Sequence, residues 1–524
     1  MSVRHYVLLA TDGFIRLPTT PELCPSPETL KSIYIFGFAG GLYKVDNETV
    51  NPELDWRDPD NWPYLQGMTS KASIPSPAVW AEVGDDLYIT LINLGMPVSG
   101  IEDPHTVHMH GAHVATQLDG FPETSFGVPM WMDKNAKPPT ATYYFHPESP
   151  GTMMYHCHQE ASEHVQMGMY GALVIYPSYK SLEAAGIEKS KKGYWFYKGE
   201  YQPQIPPAAT NRSFAYDNIK TYFDREYVML LSDIDSVWHE SVQTGTAFNA
   251  VNFKPDFWLV NGRAFPDTLY PHPQTLHAGN ASEAPVNYES YVKVRSGEKF
   301  LLRMINMGYQ VVPWHIHGWH FTVAGKDAHV SPFLQMAQKE GMADHEAVQM
   351  GFTLTFGSGE TYDLLLTADD KRALYRNYIV NGQDGLPSLC RQIARLRAAD
   401  PTVIADIPVK PVLCPKPKTV NYSGICREPA GDVDDNFFPQ FYPMHNHDDY
   451  KVTNNGAYPG GQLAYIQTDA PLPKLNAEKT LPVEDRVDRR LKNIELRYRE
   501  VERRDKRVYE KEEEIEKYAE MYKK

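Results

Sequence analysis

Four short stretches of the chain place two histidines one residue apart: His108/His110, His156/His158, His315/His317 and His445/His447. Successive side chains of a strand alternate faces, so each pair aims two imidazoles the same way. A single pair is commonplace on a protein surface, but four, two in each half of the chain, point to metal binding. With no acidic residue inside the pairs, imidazole donors of this kind suit copper better than magnesium, calcium or manganese, which prefer oxygen.

Cys157 stands between His156 and His158 in the run "TMMYHCHQEASEHVQMGM". If the two imidazoles face one centre, the thiol faces the other side of the strand, where His105, His164 and Met169 are at hand. Two imidazoles, a thiolate and a weak thioether are the ligand set of a blue-copper electron-transfer site. The cysteine then joins two centres through its own backbone, and an electron captured at the first has a short covalent route to the second.

The elements that must position these residues recur. "AEVGDDLYITLINLG" (81–95) is echoed by "VKVRSGEKFLLRMINMG" (292–308), with Gly84 on Gly297 and Asn93 on Asn306; "HTVHMHGAH" (105–113) returns as "VPWHIHGWH" (312–320), and "MYHCH" (154–158) as "PMHNH" (443–447). Two homologous domains are the economical reading. Short Val-, Ile-, Tyr-, Phe- and Thr-rich stretches alternate with polar residues between Gly, Pro and Asn turns, the pattern of a β-sandwich. The expected class is all-β: domain one over 1–180, a connection over 181–224, and domain two over 225–470. An insertion at about 368–436 carries a helix at "LCRQIARLRAAD". From 471 to 524 Gly and Pro fade out and apolar residues recur at three- and four-residue steps, which predicts a charged helix, either solvated or oligomer-forming.

With 524 residues, 42% of them hydrophobic, the chain can build two or three real cores. Its net charge of −15 and the lack of a basic cluster before residue 470 argue against nucleic acid or an anionic membrane as partner. The early apolar run "YVLLA" is far short of a leader core, so the expected location is periplasmic or secreted if a leader was removed, and otherwise cytoplasmic. Of the five cysteines, Cys390, Cys414 and Cys426 are close enough in sequence for one bridge, whereas Cys24 stands apart.

These motifs resemble the multicopper oxidases, the family of laccases and related metal oxidases built from cupredoxin domains. The resemblance implies two cupredoxin-like Greek-key sandwiches and four coppers per chain: one type 1, one type 2 and two type 3. By motif, His105, Cys157, His164 and Met169 match the type 1 ligands, and His108 and His315 the type 2 ligands. His110, His156, His158, His317, His445 and His447 match the type 3 pair. Asp119 in "QLDGF" matches an acid that aids proton delivery, and Asp-Gly there reads equally as a turn. Val312 and Asn446 stand where a second type 1 site would have its histidine and cysteine, which places the blue site in domain one alone, as in two-domain laccases and copper nitrite reductases. Five residues separate His158 from His164, where many members have three. The implied activity is one-electron oxidation of phenolic or other organic donors coupled to reduction of dioxygen, in a homotrimer. Oxidation of Mn(II), Fe(II) or Cu(I), or nitrite reduction, is the alternative.

Overall fold

A computed structural model describes residues 2–21, 27–270, 288–342, 349–369, 371, 382, 385–400 and 440–471. The described residues within 2–178 and 211–471 belong to one compact unit, and residues 179–210 to a second.

The first half of the large unit is built from β1 (Val3–Pro18), β2 (Leu30–Val45), β3 (Glu48–Thr49), β4 (Val79–Glu82), β5 (Asp86–Gly95), β6 (His108–His110), β7 (Thr140–Phe145), β8 (Gly151–His156) and β9 (Tyr170–Tyr176), with helices α1 (Trp62–Gln66) and α2 (Ala161–Met167). One sheet runs β3-β2-β1-β5-β7 and the other β4-β9-β8-β6. β1 is parallel to β5 and β4 to β9, whereas the remaining neighbours are antiparallel.

Within the predicted connection, the small unit holds α3 (Tyr179–Ala184) and a sheet of β10 (Ile187–Lys189), β11 (Trp195–Tyr197) and β12 (Glu200–Tyr201). Trp195 and Phe196 on β11 are buried, and Lys189 donates to the Ala209 carbonyl at 2.5 Å.

The second half contains β13 (Arg225–Ile234), helix α4 (Ser236–Gln243), β14 (Phe257–Val260), β15 (Val292–Arg295), β16 (Lys299–Asn306), β17 (Val312–Ile316), β18 (Phe321–Lys326), β19 (His329–Val330), β20 (Met350–Gly351), β21 (Thr353–Phe356), β22 (Thr361–Thr367), β23 (Gln440–Asn446) and β24 (Leu463–Asp469). Its sheets run β14-β13-β16-β22-β18-β19, with β20 on β18, and β15-β24-β23-β17-β21. β13 is parallel to β16 and β15 to β24, so the two parallel pairings of the first half recur in place. The expected all-β class with two cupredoxin-like sandwiches is therefore present. A helix spans Leu389–Ala399. The tail from 472 onward, most of the 368–436 insertion, and Cys24, Cys414, Cys426 and the Cys390 side chain lie outside the described residues. Among the described residues no helix is long and apolar enough to cross a membrane.

The repeat is also visible in single bonds. Asn93 accepts the Gly95 N–H at 2.9 Å and Asn306 accepts the Gly308 N–H at 3.0 Å, so each matched asparagine closes the turn after its strand.

β8 and β9 are buried throughout, because one face looks into the first sandwich and the other packs on the second half. Trp80, Met154, Tyr170 and Val174 share a core with Val228, Leu230, Leu259 and Ile305. That double burial is why "YGALVIY" reads as an unbroken apolar run. A polar knot crosses the same seam: the Arg303 guanidinium donates to Glu226 at 2.6 Å and to the Thr152 hydroxyl at 2.9 Å, while Thr152 and Tyr216 each donate to Asp363 at 2.6 Å. Thr152 lies on β8, four residues before His156, so the knot fixes the strand that carries the chemistry. Replacing Arg303 by Met strands two buried carboxylates, and we expect a loss of about 3–5 kcal/mol in urea unfolding; a loss below about 1 kcal/mol would mean that Glu226 and Asp363 need no counter-charge.

Candidate metal centre

β8 delivers Cys157 one residue past its end. The Cys157 N–H donates to the Met169 carbonyl at 3.0 Å, and the His158 N–H to the Thr106 hydroxyl at 2.8 Å, which fixes the chain on both sides of the thiol. The Cys157 sulfur lies 3.8 Å from His105 Nδ1 and 3.4 Å from His164 Nδ1. All three side chains are fully buried, and among the described residues Cys157 is a free cysteine. The longer spacing from His158 to His164 is taken up by α2, which turns His164 back onto the sulfur. Met169 is buried in the same core cluster as Cys157.

Burial alone would push the Cys157 thiol up, but hydrogen bonding to His105 and His164 outweighs it and holds the thiol well below its ordinary value. Burial pulls His105 down. His164 is pushed up to about 10 against its own burial, because the Asp103 carboxylate faces its outer nitrogen at 3.8 Å and the thiolate faces its inner one.

The paired histidines form two sets of rings. Register places His108 opposite His156 on β6 and β8, and His315 opposite His445 on β17 and β23, the same pairing in both halves. In the first set the His108–His156, His108–His158 and His156–His158 centroids are 5.1, 5.2 and 5.3 Å apart, and His110 joins at 5.6 Å from His156. The second set holds His315–His317 at 4.7 Å, His315–His447 at 5.4 Å and His317–His445 at 5.2 Å. Among the described residues no ring contact links one set to the other. The first set is shielded, with His156 buried, whereas His317 and His447 are exposed.

A carbonyl can only accept, so a ring nitrogen facing one must carry hydrogen. His108 Nδ1 donates to the Asp119 carbonyl (2.7 Å), His156 Nδ1 to the Cys157 carbonyl (2.9 Å), His315 Nδ1 to the Phe352 carbonyl (2.7 Å) and His445 Nδ1 to the Asn446 carbonyl (2.8 Å). Four imidazoles are thereby locked in the tautomer that leaves Nε2 free as a donor to metal. Burial pushes His156 down to about 3 and also lowers His108, His110, His317 and His445, which keeps these rings neutral near pH 7.

The sequence profile of the multicopper oxidase family matches residues 57–180, the stretch that holds the Cys157 site and the whole first imidazole set. This segment is a multicopper oxidase domain. A copper-containing nitrite reductase of Alcaligenes xylosoxydans xylosoxydans is 28% identical over 196 residues, 37% of this chain; the match spans 54% of that protein, about half its length. Among solved structures, the blue copper oxidase of Nitrosomonas europaea aligns over 92% of both chains at 19% identity with a TM-score of 0.48. A laccase from Botrytis aclada aligns over 92% of this chain and 56% of its own at 16% identity with a TM-score of 0.41.

The donors of the multicopper oxidase domain suit its metal. Two donors about 2.0–2.3 Å from one first-row ion, at a tetrahedral to trigonal angle, lie about 3.3–3.8 Å apart, and the two Cys157–histidine separations fall in that range. In the second set His317 Nε2 and His445 Nε2 share a hydrogen bond at 3.1 Å, a little short of that range.

The second half fills the corresponding pocket differently. The Asn446 N–H donates to the Gln462 carbonyl at 3.1 Å, the bond that Cys157 makes to Met169, so Gln462 stands in the place of Met169. The Asn446 side-chain amide donates to Gln462 Oε1 at 2.8 Å, and Gln462 in turn donates to the Ser232 and Leu259 carbonyls, both at 3.1 Å. A pair of amides thus fills the space of thiolate and thioether, beside a buried Val312. Sequence comparison identified Val312 and Asn446 but missed Gln462, because the gap after the histidine pair is longer in this half. Asp103 and Phe121, whose ring meets His158 at 4.6 Å, were missed as well, since neither belongs to a repeated motif. Asp119 acts on His108 through its main-chain carbonyl, while its carboxylate accepts the Phe121 N–H at 3.0 Å, a turn-forming bond.

Depressed histidines make a signed prediction. His156 at about 3, and His5 and His239, both lowered to about 4 chiefly by burial, have folded values below the ordinary 6.5, so the unfolded chain binds more protons beneath pH 6.5. Their stabilisation is fully present above that pH and is lost as pH falls through the folded values. Asp233 and Asp267, raised to about 6 by burial, act in the opposite sense between about 3.8 and 6 but are outnumbered. The melting temperature of the metal-free protein should therefore drop between pH 6.5 and 4.5; a flat or rising curve would place charged rings in the folded state.

Proposed function

We propose that the protein is a laccase-like multicopper oxidase that takes single electrons from phenolic or other organic donors and passes them to dioxygen, giving water. The observation that carries this reading is the position of Cys157: its sulfur lies between His105 and His164, while its chain neighbours His156 and His158 belong to the imidazole set. In this reading His105, Cys157, His164 and Met169 hold a type 1 copper, and His108 and His315 a type 2 copper. His110, His156, His158, His317, His445 and His447 hold the type 3 pair. Copper would supply one-electron acceptance and oxygen binding.

The chain's own residues do the rest. Cys157 offers two routes onward, its covalent link to His156 and its carbonyl, which accepts from His156 Nδ1 at 2.9 Å. Asp119, held at His108, is assigned to proton delivery. Each imidazole set is half of a three-metal nest, so we assign the chain to a homotrimer in which the second set of one copy meets the first set of the next. The exposed second set supports this arrangement, as do the apolar side chains Met350 and Phe352, 55% and 57% exposed, the second in ring contact with His315. Low-valent metal ions as donors belong to the same reading.

Nitrite reduction is the second reading, favoured by the named relative and by the grouping of His108, His110 and His156, whose donor atoms lie within 4.8 Å of one another. It needs only those three rings and leaves five of the paired histidines without a role.

Metal analysis of the loaded protein should give four coppers per chain. Cys157→Ser should abolish the blue colour and at least about 99% of donor turnover, while three coppers remain. One copper per chain, or no oxygen uptake with any donor, would overturn the oxidase; nitrite consumption without oxygen uptake would establish the alternative.

A further inference from the structure

We propose that the second half of the repeat sets the position of a ligand in the first: Tyr309, anchored by Asp233, is a positioning residue for His164. The inference rests on His164 being a copper ligand.

His164 rides on α2, a helix of seven residues. Helices this short do not hold themselves in water, and α2 begins at Glu160, which has a left-handed backbone and no side-chain cap bond. Beyond the contacts of His164 with Cys157 and Asp103 in its own half, the side-chain bonds that fix the helix come from the other half. The Tyr309 hydroxyl donates to the Ser162 carbonyl at 2.7 Å and to the Ala161 carbonyl at 3.0 Å. The Gln166 amide donates to the Asp233 carbonyl at 2.7 Å, and the Trp238 indole N–H reaches Glu163 at 3.4 Å. His164 sits between Ser162 and Gln166, so the helix is pinned on both sides of the ligand.

Asp233 serves both pins. Its carbonyl holds Gln166, and its carboxylate accepts the N–H groups of Tyr309 at 3.1 Å and Gln310 at 3.0 Å. Gly308 lets the chain come this close, for a Cβ there would meet an Asp233 carboxylate oxygen at 2.7 Å. The Tyr309 ring also packs against Phe253 at 5.4 Å, which keeps the hydroxyl aimed at α2. Tyr309 lies six residues before His315, so one short segment carries the latch at one end and the second imidazole set at the other.

Tyr309→Phe removes only the hydroxyl and keeps the ring packing. In the copper-loaded full chain, it should alter the relative intensity of the two thiolate-to-copper absorption bands and shift the reduction potential of the blue site, with copper content unchanged. In the metal-free protein, labelling of the buried Cys157 thiol should quicken several-fold, because α2 opens more often. Gln166→Met, which loses the other pin, should move both readouts the same way and covers the case in which the tyrosine variant fails to fold. Ser162→Ala should match the parent, since the bond is to the main chain. If both pin variants lose melting temperature but keep the parent spectrum, potential and labelling rate, the contacts are merely structural and the proposal fails. A parent protein that never turns blue would instead overturn the copper reading.

Discussion

A thiolate buried to zero exposure is costly unless a cation or a metal balances it. Cys157 imposes that constraint on everything around it. Burial opposes ionisation, yet His105 and His164 close on the sulfur and tip the balance, and Asp103 in turn charges His164 from outside. Extended geometry then fixes the rest: with the sulfur just past β8 turned to one side of the chain, the adjacent imidazoles fall on the other. One residue thus joins the sulfur cluster to the imidazole set, and the separation between them is set by a peptide backbone rather than by flexible side chains.

The same constraint explains why the two halves diverged while keeping one scaffold. Parallel pairings recur, the asparagine turns recur, and the opposed histidines His108/His156 and His315/His445 share a register. What changed in the second half is the pocket behind the strand. Asn446 and Gln462 hydrogen-bond to each other and to the backbone of β13 and β14, so every polar group they bring is satisfied without a metal. An amide pair is a neutral filling for a space whose counterpart in the first half needs charge balance, and it leaves the imidazole face of β23 untouched.

The histidine pairs and the fold class were legible in the sequence because both rest on period two: alternation aims the pairs and patterns the sandwiches. Cys157 was legible for the same reason, as the odd residue between two even ones. Long-range partners carry no such signature. Nothing near Tyr309 in sequence announces that its hydroxyl meets a helix 147 residues earlier, and Gln462 is recognisable only once its carbonyl is seen on Asn446. The stretch after Ser178 read as a connection because of its Lys, Tyr and Pro content, yet Trp195 and Phe196 find a small core there. Asp119 could be read as a turn or as an acid, and its carboxylate makes the turn, while its carbonyl sets the tautomer of His108.

Exposure separates the two imidazole sets more sharply than sequence does. In the second set His315 and His445 are half-buried and held by carbonyls on Nδ1, while His317 and His447 are exposed. The first set is shielded and backed by the Cys157 site, whereas the second is more exposed and has an amide pair in the corresponding pocket. In the proposed oxidase the first set would take its electrons through Cys157, and the second set of another copy would complete its nest. The segment from Tyr309 to His317 would then link the ligand helix of one copy to the imidazoles it presents to the next.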